Sequence, residues 1–110
     1  WIGEYGDPRD PEARAWLEAY SPYQQLREGE RYAPTFIYGS AGDDRVHPAH
    51  GRWMAAKLKA LGAPVWYWET EDGGHGNPVR REDLAQRLAL TYSHLWKHLG
   101  AAPPLGEGAP

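Results

Sequence analysis

Two short segments of this chain carry residue types suited to proton transfer: Gly42-Asp43-Asp44-Arg45-Val46-His47-Pro48 and Gly73-Gly74-His75-Gly76. A carboxylate paired with an imidazole fixes the ring tautomer and stabilises the imidazolium formed when the ring takes a proton. A histidine held in this way serves as base and then as acid when it titrates near neutrality. Asp43 and His75 are 32 residues apart, the length of a loop, a helix and a strand. That spacing allows one sheet edge to present both. The glycines flanking His75 suit a loop that lifts one side chain toward a partner. Taken singly, each residue also has a plainer reading. Asp-Asp is common at helix starts, where it complements the helix dipole, and a histidine in a glycine turn can simply be solvated.

The elements that must position these loops follow from the flanking pattern. Pro34 to Ser40 is a compact β-branched and aromatic run, and Pro64 to Thr70 is a second. Between them, Pro48 opens a helix with Met54, Leu58 and Leu61 at i, i+4 and i+7 and with Gly62 as its stop. Its N-cap would be His47, a poor capping residue. A local rule broken beside a candidate site suggests that the position serves something besides helix stability. Strand, acid loop, helix, strand and histidine loop make one βαβ unit. Such a crossover is right-handed, makes the strands parallel and places both loops at their carboxyl ends, where open α/β sheets bind ligands.

Trp1 to Pro11 reads as a loop entering a short helix, with Asp10 as N-cap, Pro11 at the first helical position and a stop at Ser21-Pro22. Gln24 to Tyr32 is polar enough to be a connecting loop. From about Glu82 to Leu99 a last helix shows Leu84, Leu88, Leu95 and Leu99 on one stripe, with Tyr92 filling the gap, and Gly100 ends it. The segment 101–110, small and rich in Pro and Gly, reads as a flexible tail after a unit spanning 1–100. His47, His50, His94 and His98 are dispersed. His94 and His98 stand at i, i+4 on the last helix but lack the accompanying carboxylate of a metal motif, so they read as surface side chains. Neither a metal nor another cofactor is expected.

The 110 residues fit one small domain of ordinary globular usage, 41% hydrophobic and 25% charged. A net charge of −3 leaves no electrostatic footprint for nucleic acid or an anionic membrane. Zero cysteines exclude disulfides, thiolate metal sites and a cysteine nucleophile. Six Trp and seven Tyr against one Phe suit surfaces where an apolar body meets a polar edge, as in pockets and interfaces. An α/β unit of this length leaves a sheet edge and helix faces open, so a homodimer formed through the sheet edge is one reading of the chain.

Acid before histidine is the chain order of α/β-hydrolase triads, in which the nucleophile sits on a strand-to-helix elbow upstream of both. Ser21, Ser40 and Ser93 lie in no such elbow. The expected fold is therefore α/β, the C-terminal part of an α/β-hydrolase domain: parallel strands with flanking helices, joined by a βαβ crossover.

Four motifs occur in order: Trp1 to Tyr5 with Gly6-Asp7-Pro8; Tyr20-Ser21-Pro22-Tyr23; Gly42 to His50; and Glu71-Asp72-Gly73-Gly74-His75-Gly76. Together they resemble the C-terminal catalytic segment of the prolyl oligopeptidase family of serine peptidases. The resemblance implies that Asp43 is the triad acid and His75 the triad base. It implies that Arg45 binds a backbone carbonyl of the peptide, that Trp1 stacks on the substrate proline, and that Tyr5 and Val46 form other walls of that pocket. The family's serine elbow and its β-propeller have no counterpart here. The reading is thus part of a peptidase cleaving after proline, with a proline-containing peptide as substrate and the nucleophile on an N-terminal part of the parent chain. The segment alone is expected to be inactive. Related readings are a dipeptidyl or acylaminoacyl peptidase or an esterase of the same fold; from a different class, a catalytically dead, self-associating interaction module.

Overall fold

The computed structural model describes residues 1–76 and 80–100. Its elements are α1 (Ile2–Tyr5), α2 (Pro11–Tyr20), α3 (Pro22–Gln25), β1 (Thr35–Ser40), α4 (Ala49–Ala60), β2 (Val65–Thr70) and α5 (Arg81–Leu99). The tail at 101–110 lies outside the described residues, as do Asn77 to Val79 at the end of the histidine loop.

β1 and β2 pair in parallel, in register from Thr35 opposite Val65 to Ser40 opposite Thr70. Each strand begins one residue later than the sequence suggests. Pro34 and Pro64 have no N–H to give to the ladder, and Pro64 contributes only its carbonyl, which accepts from the Thr35 N–H at 2.9 Å. Alternation along the strands sorts the helices to opposite faces. On one face, Gly51 of α4 lies against Ile37 and Tyr67, so close that a Cβ there would stand 3.3 Å from the Tyr67 ring. On the other, Phe36 and Trp66 meet α5. α4 covers one face as the crossover helix and α5 the other, so both faces of the parallel pair are covered.

α4 stops where expected. Gly62 takes φ 75°, its N–H donates to Lys59, and the Ala63 N–H donates to the Leu58 carbonyl, both at 3.0 Å. The helix starts one residue late, with Pro48 as N-cap. His47 still serves its entry: Nδ1 accepts from the Ala49 N–H at 3.2 Å. Leu58, 3% exposed, is the most deeply covered large side chain among the described residues. Leu58→Ala is expected to cost about 2 kcal/mol, the low end for such truncations because the surrounding core is thin. Urea denaturation checks this, and a loss below about 0.5 kcal/mol would show that the helix is held otherwise.

Three expectations are corrected. Trp1 to Pro11 is not all loop: Ile2–Tyr5 forms one helical turn, closed by Tyr5 N–H to Trp1 at 2.9 Å and Gly6 N–H to Ile2 at 3.0 Å. Gln24 and Gln25 belong to α3, whose Pro22 opens a new turn directly after α2 ends. The third concerns α5. Leu88, Tyr92, Leu95 and Leu99 are exposed, while Arg87, Thr91, His94 and His98 are half-buried toward the sheet. The aromatic sheet face explains this choice. His94 packs on Phe36 and Trp66 at 5.9 and 5.2 Å, His98 on Trp66 at 5.3 Å, and Arg87 lies over the Tyr38 ring at 5.1 Å. The two histidines are therefore packing residues and not surface ones.

Candidate active site

The carboxyl ends of β1 and β2 hold the two loops. Ser40 and Thr70, the last residues of the strands, are buried, and the ladder continues one step through Ala41 N–H to Thr70 at 2.9 Å. Beyond that step the acid loop turns back, with Asp43 N–H donating to the Ser40 carbonyl at 3.3 Å. The Ser40 hydroxyl accepts from the Gly42 N–H at 3.3 Å and donates to the Gly73 carbonyl of the histidine loop at 2.7 Å. Gly42 is packed so closely on that loop that a Cβ would fall 2.5 Å from the Gly73 oxygen. Gly73 itself takes φ 110°, a conformation open to glycine.

Asp43 divides its oxygens between two tasks. Oδ1 accepts from the backbone N–H groups of Arg45 and Val46 at 3.0 and 2.9 Å, which fixes the rotamer. Oδ2 is left facing His75 Nδ1 at 3.0 Å. The Val46 N–H above all, then the His75 ring, and more weakly the Arg45 N–H hold the carboxyl below the usual carboxylate range, against the opposing effect of partial burial. Because Asp43 is thus an ionised acceptor, the proton of the neutral His75 ring belongs on Nδ1 and the lone pair on Nε2. The Asp43 side chain is 15% exposed and that of His75 47%, so the imidazole stands out toward solvent while the carboxylate stays sheltered.

This arrangement fixes a pH dependence. The folded-state pKa of Asp43 lies below its unfolded value, so its contribution to stability is present above the ordinary carboxylate range and is lost as pH falls through the folded value. Asp43→Asn is expected to flatten the acid side of the stability curve below about pH 4. Urea midpoints measured from pH 6 downward would show an unchanged slope if the pairing were absent.

Asp43, Val46 and His75 line a cleft of about 260 Å³, together with Tyr38, His50 and Trp68. Trp1 and Tyr5 stack on each other at α1, centroids 5.7 Å apart, and lie outside this cleft. The Arg45 side chain is exposed beside the acid loop and forms no ion pair among the described residues. The structure thus brings three of the six candidate residues together. Sequence reasoning missed Ser40 and the Gly42–Gly73 contact. The available signal was a small hydroxyl residue ending each strand, at paired positions. It also missed the clasp in which Arg52 Nε donates to Glu69 Oε2 at 2.9 Å while the Tyr67 hydroxyl bonds the same carboxylate, tying the first turn of α4 to β2. Among the described residues no cluster of three or more His, Asp or Glu has the arrangement of a metal site.

A family model described as the prolyl oligopeptidase family matches residues 1–102. An uncharacterized peptidase of Sinorhizobium fredii is 39% identical over 99 residues, covering 90% of this chain and 14% of that protein. A solved prolyl endopeptidase is 31% identical with a TM-score of 0.72, over 93% of this chain and 16% of that one. A thermophilic esterase of Thermogutta terrifontis is 25% identical with a TM-score of 0.66, over 92% of this chain and 40% of the esterase. The chain therefore spans roughly one seventh of the peptidases it matches, and the fold is that of an α/β-hydrolase.

Proposed function

Because this chain belongs to the prolyl oligopeptidase family of serine peptidases, we propose that it supplies the acid and base of a triad that cleaves peptide bonds on the carboxyl side of proline. The observation that carries this reading is the 3.0 Å contact of Asp43 Oδ2 with His75 Nδ1 at the mouth of the cleft. The nucleophile is a serine on another segment of the parent protein. Ser40 is not a candidate, since its hydroxyl proton is committed to the Gly73 carbonyl.

His75 Nε2 takes the proton of that serine as its oxygen attacks the carbonyl carbon of the proline. It then gives the proton to the leaving amine, leaving an acyl-enzyme. Water repeats the sequence and frees the carboxyl product. Asp43 stays ionised throughout, holding the Nδ1–H and offsetting the positive charge of the imidazolium. Val46 forms part of the proline pocket; Trp1 and Tyr5, which stack on each other outside this cleft, are assigned its flat apolar walls, and the Arg45 guanidinium the donation to a substrate carbonyl, by likeness to the family alone.

Paired substrates blocked at the amino end and bearing a chromogenic amide test this reading in the intact peptidase. With proline before the cleaved bond, kcat/KM is expected to exceed that of the alanine analogue by at least about tenfold, the scale of a shape-selective apolar pocket. Trp1→Ala should erase most of that difference. Equal rates for the two substrates would reject proline selectivity, and a chromogenic ester cleaved while both amides resist would favour the esterase reading.

A further inference from the structure

We propose that Ser40 is a positioning residue which pins the histidine loop onto the acid loop, so that one buried hydroxyl sets the alignment of His75 with Asp43; this rests on reading that pair as the acid and base. Among the described residues, two side-chain hydrogen bonds join the two loops. One is the Asp43–His75 contact itself, and the other is made by Ser40, 33 residues from the carbonyl it holds.

The hydroxyl works on both loops at once. It accepts from Gly42 N–H, the residue before Asp43, and donates to the Gly73 carbonyl, two residues before His75. Ser40 is 8% exposed, so these bonds are sheltered from solvent. Among the described residues of the histidine loop, Asp72 also stands 4.0 Å from Arg80 Nε, at the exposed surface. Glu71, Asp72, Gly74, His75 and Gly76 are all exposed, and Gly73 is the half-buried residue among them. A loop of exposed residues with three glycines has many conformations of similar energy, and Gly73 at φ 110° brings no side chain to pack. Without the hydroxyl, the Asp43–His75 bond, made by a half-exposed imidazole, is what remains of the side-chain bonds between the two loops among the described residues. Serine is small enough to leave Gly42 and Gly73 in contact, and alanine at this position keeps the strand while deleting the bridge.

The test uses the intact peptidase with Ser40→Ala and Ser40→Thr, the second restoring a hydroxyl on the same carbon. Ser40→Ala is expected to lower kcat about tenfold with KM little changed, because substrate binding is kept and alignment is lost. It should also broaden away the low-field proton resonance of the His75 Nδ1–H. Ser40→Thr should recover kcat to within about threefold and restore the resonance. Circular dichroism of Ser40→Ala should match the parent. A Ser40→Ala enzyme with unchanged kcat and an intact resonance would overturn the inference, as would a fall in kcat with the resonance unaffected. His75→Ala separates the two levels of the claim: if it retained activity, the acid–base reading would fail, whereas a resonance lost in Ser40→Ala would still report the pin.

Discussion

Asp43→Asn in the intact peptidase is expected to lower kcat by about 10⁴ while leaving KM within a few-fold. The substitution preserves shape. The amide oxygen still accepts from the Arg45 and Val46 N–H groups, which leaves the NH₂ facing His75 Nδ1. A donor there requires Nδ1 to accept, so the ring proton moves to Nε2, the atom that takes the serine proton in the proposed mechanism. The defect is a wrong tautomer together with an unsupported imidazolium, and neither touches substrate binding. Stopped assays with a proline amide over long incubation reach such rates. A kcat within tenfold of the parent would mean that the 3.0 Å contact plays no part in turnover.

Gly42→Ala is expected to lower kcat by about 10², through crowding rather than backbone strain. Gly42 is not among the positive-φ glycines, so alanine can adopt its backbone conformation. Its Cβ would lie 2.5 Å from the Gly73 carbonyl oxygen, and because that atom is backbone the whole histidine loop has to retreat by most of an ångström. Misplacement on that scale costs roughly two orders of magnitude in a catalytic group's contribution. Stability should fall by only about 1 kcal/mol, since the loops are exposed and yield easily. Comparing kcat with the thermal midpoint of the same variant checks both halves. An active Gly42→Ala enzyme would show that the loops tolerate separation.

The sequence made the scaffold of the site legible because its signals are local. β-branched and aromatic runs bounded by Pro34, Gly39 and Pro64 mark β1 and β2, and Gly62 marks the end of α4. A strand, a helix and a strand between two polar loops put Asp43 and His75 at the same edge, and the fold brings them into contact. What stayed hidden depends on neighbours distant in the chain. On α5, the leucine stripe and the stripe of Arg87, Thr91, His94 and His98 have the same helical period, and the ring-rich face of Phe36, Tyr38 and Trp66 decides which turns inward. The single turn Ile2–Tyr5 is too short for periodicity to register. Ser40 gives only a faint signal, a hydroxyl residue ending its strand opposite Thr70, and its role shows once the partner 33 residues away is known.

Reaction of the intact peptidase with a fluorophosphonate, followed by peptide mapping, tests most directly whether His75 activates a serine. Stoichiometric labelling of one serine outside residues 1–110, on a Gly-x-Ser-x-Gly elbow, is expected, with the reaction abolished in His75→Ala. Labelling at an undiminished rate in His75→Ala, or labelling of Ser21, Ser40 or Ser93 instead, would contradict it.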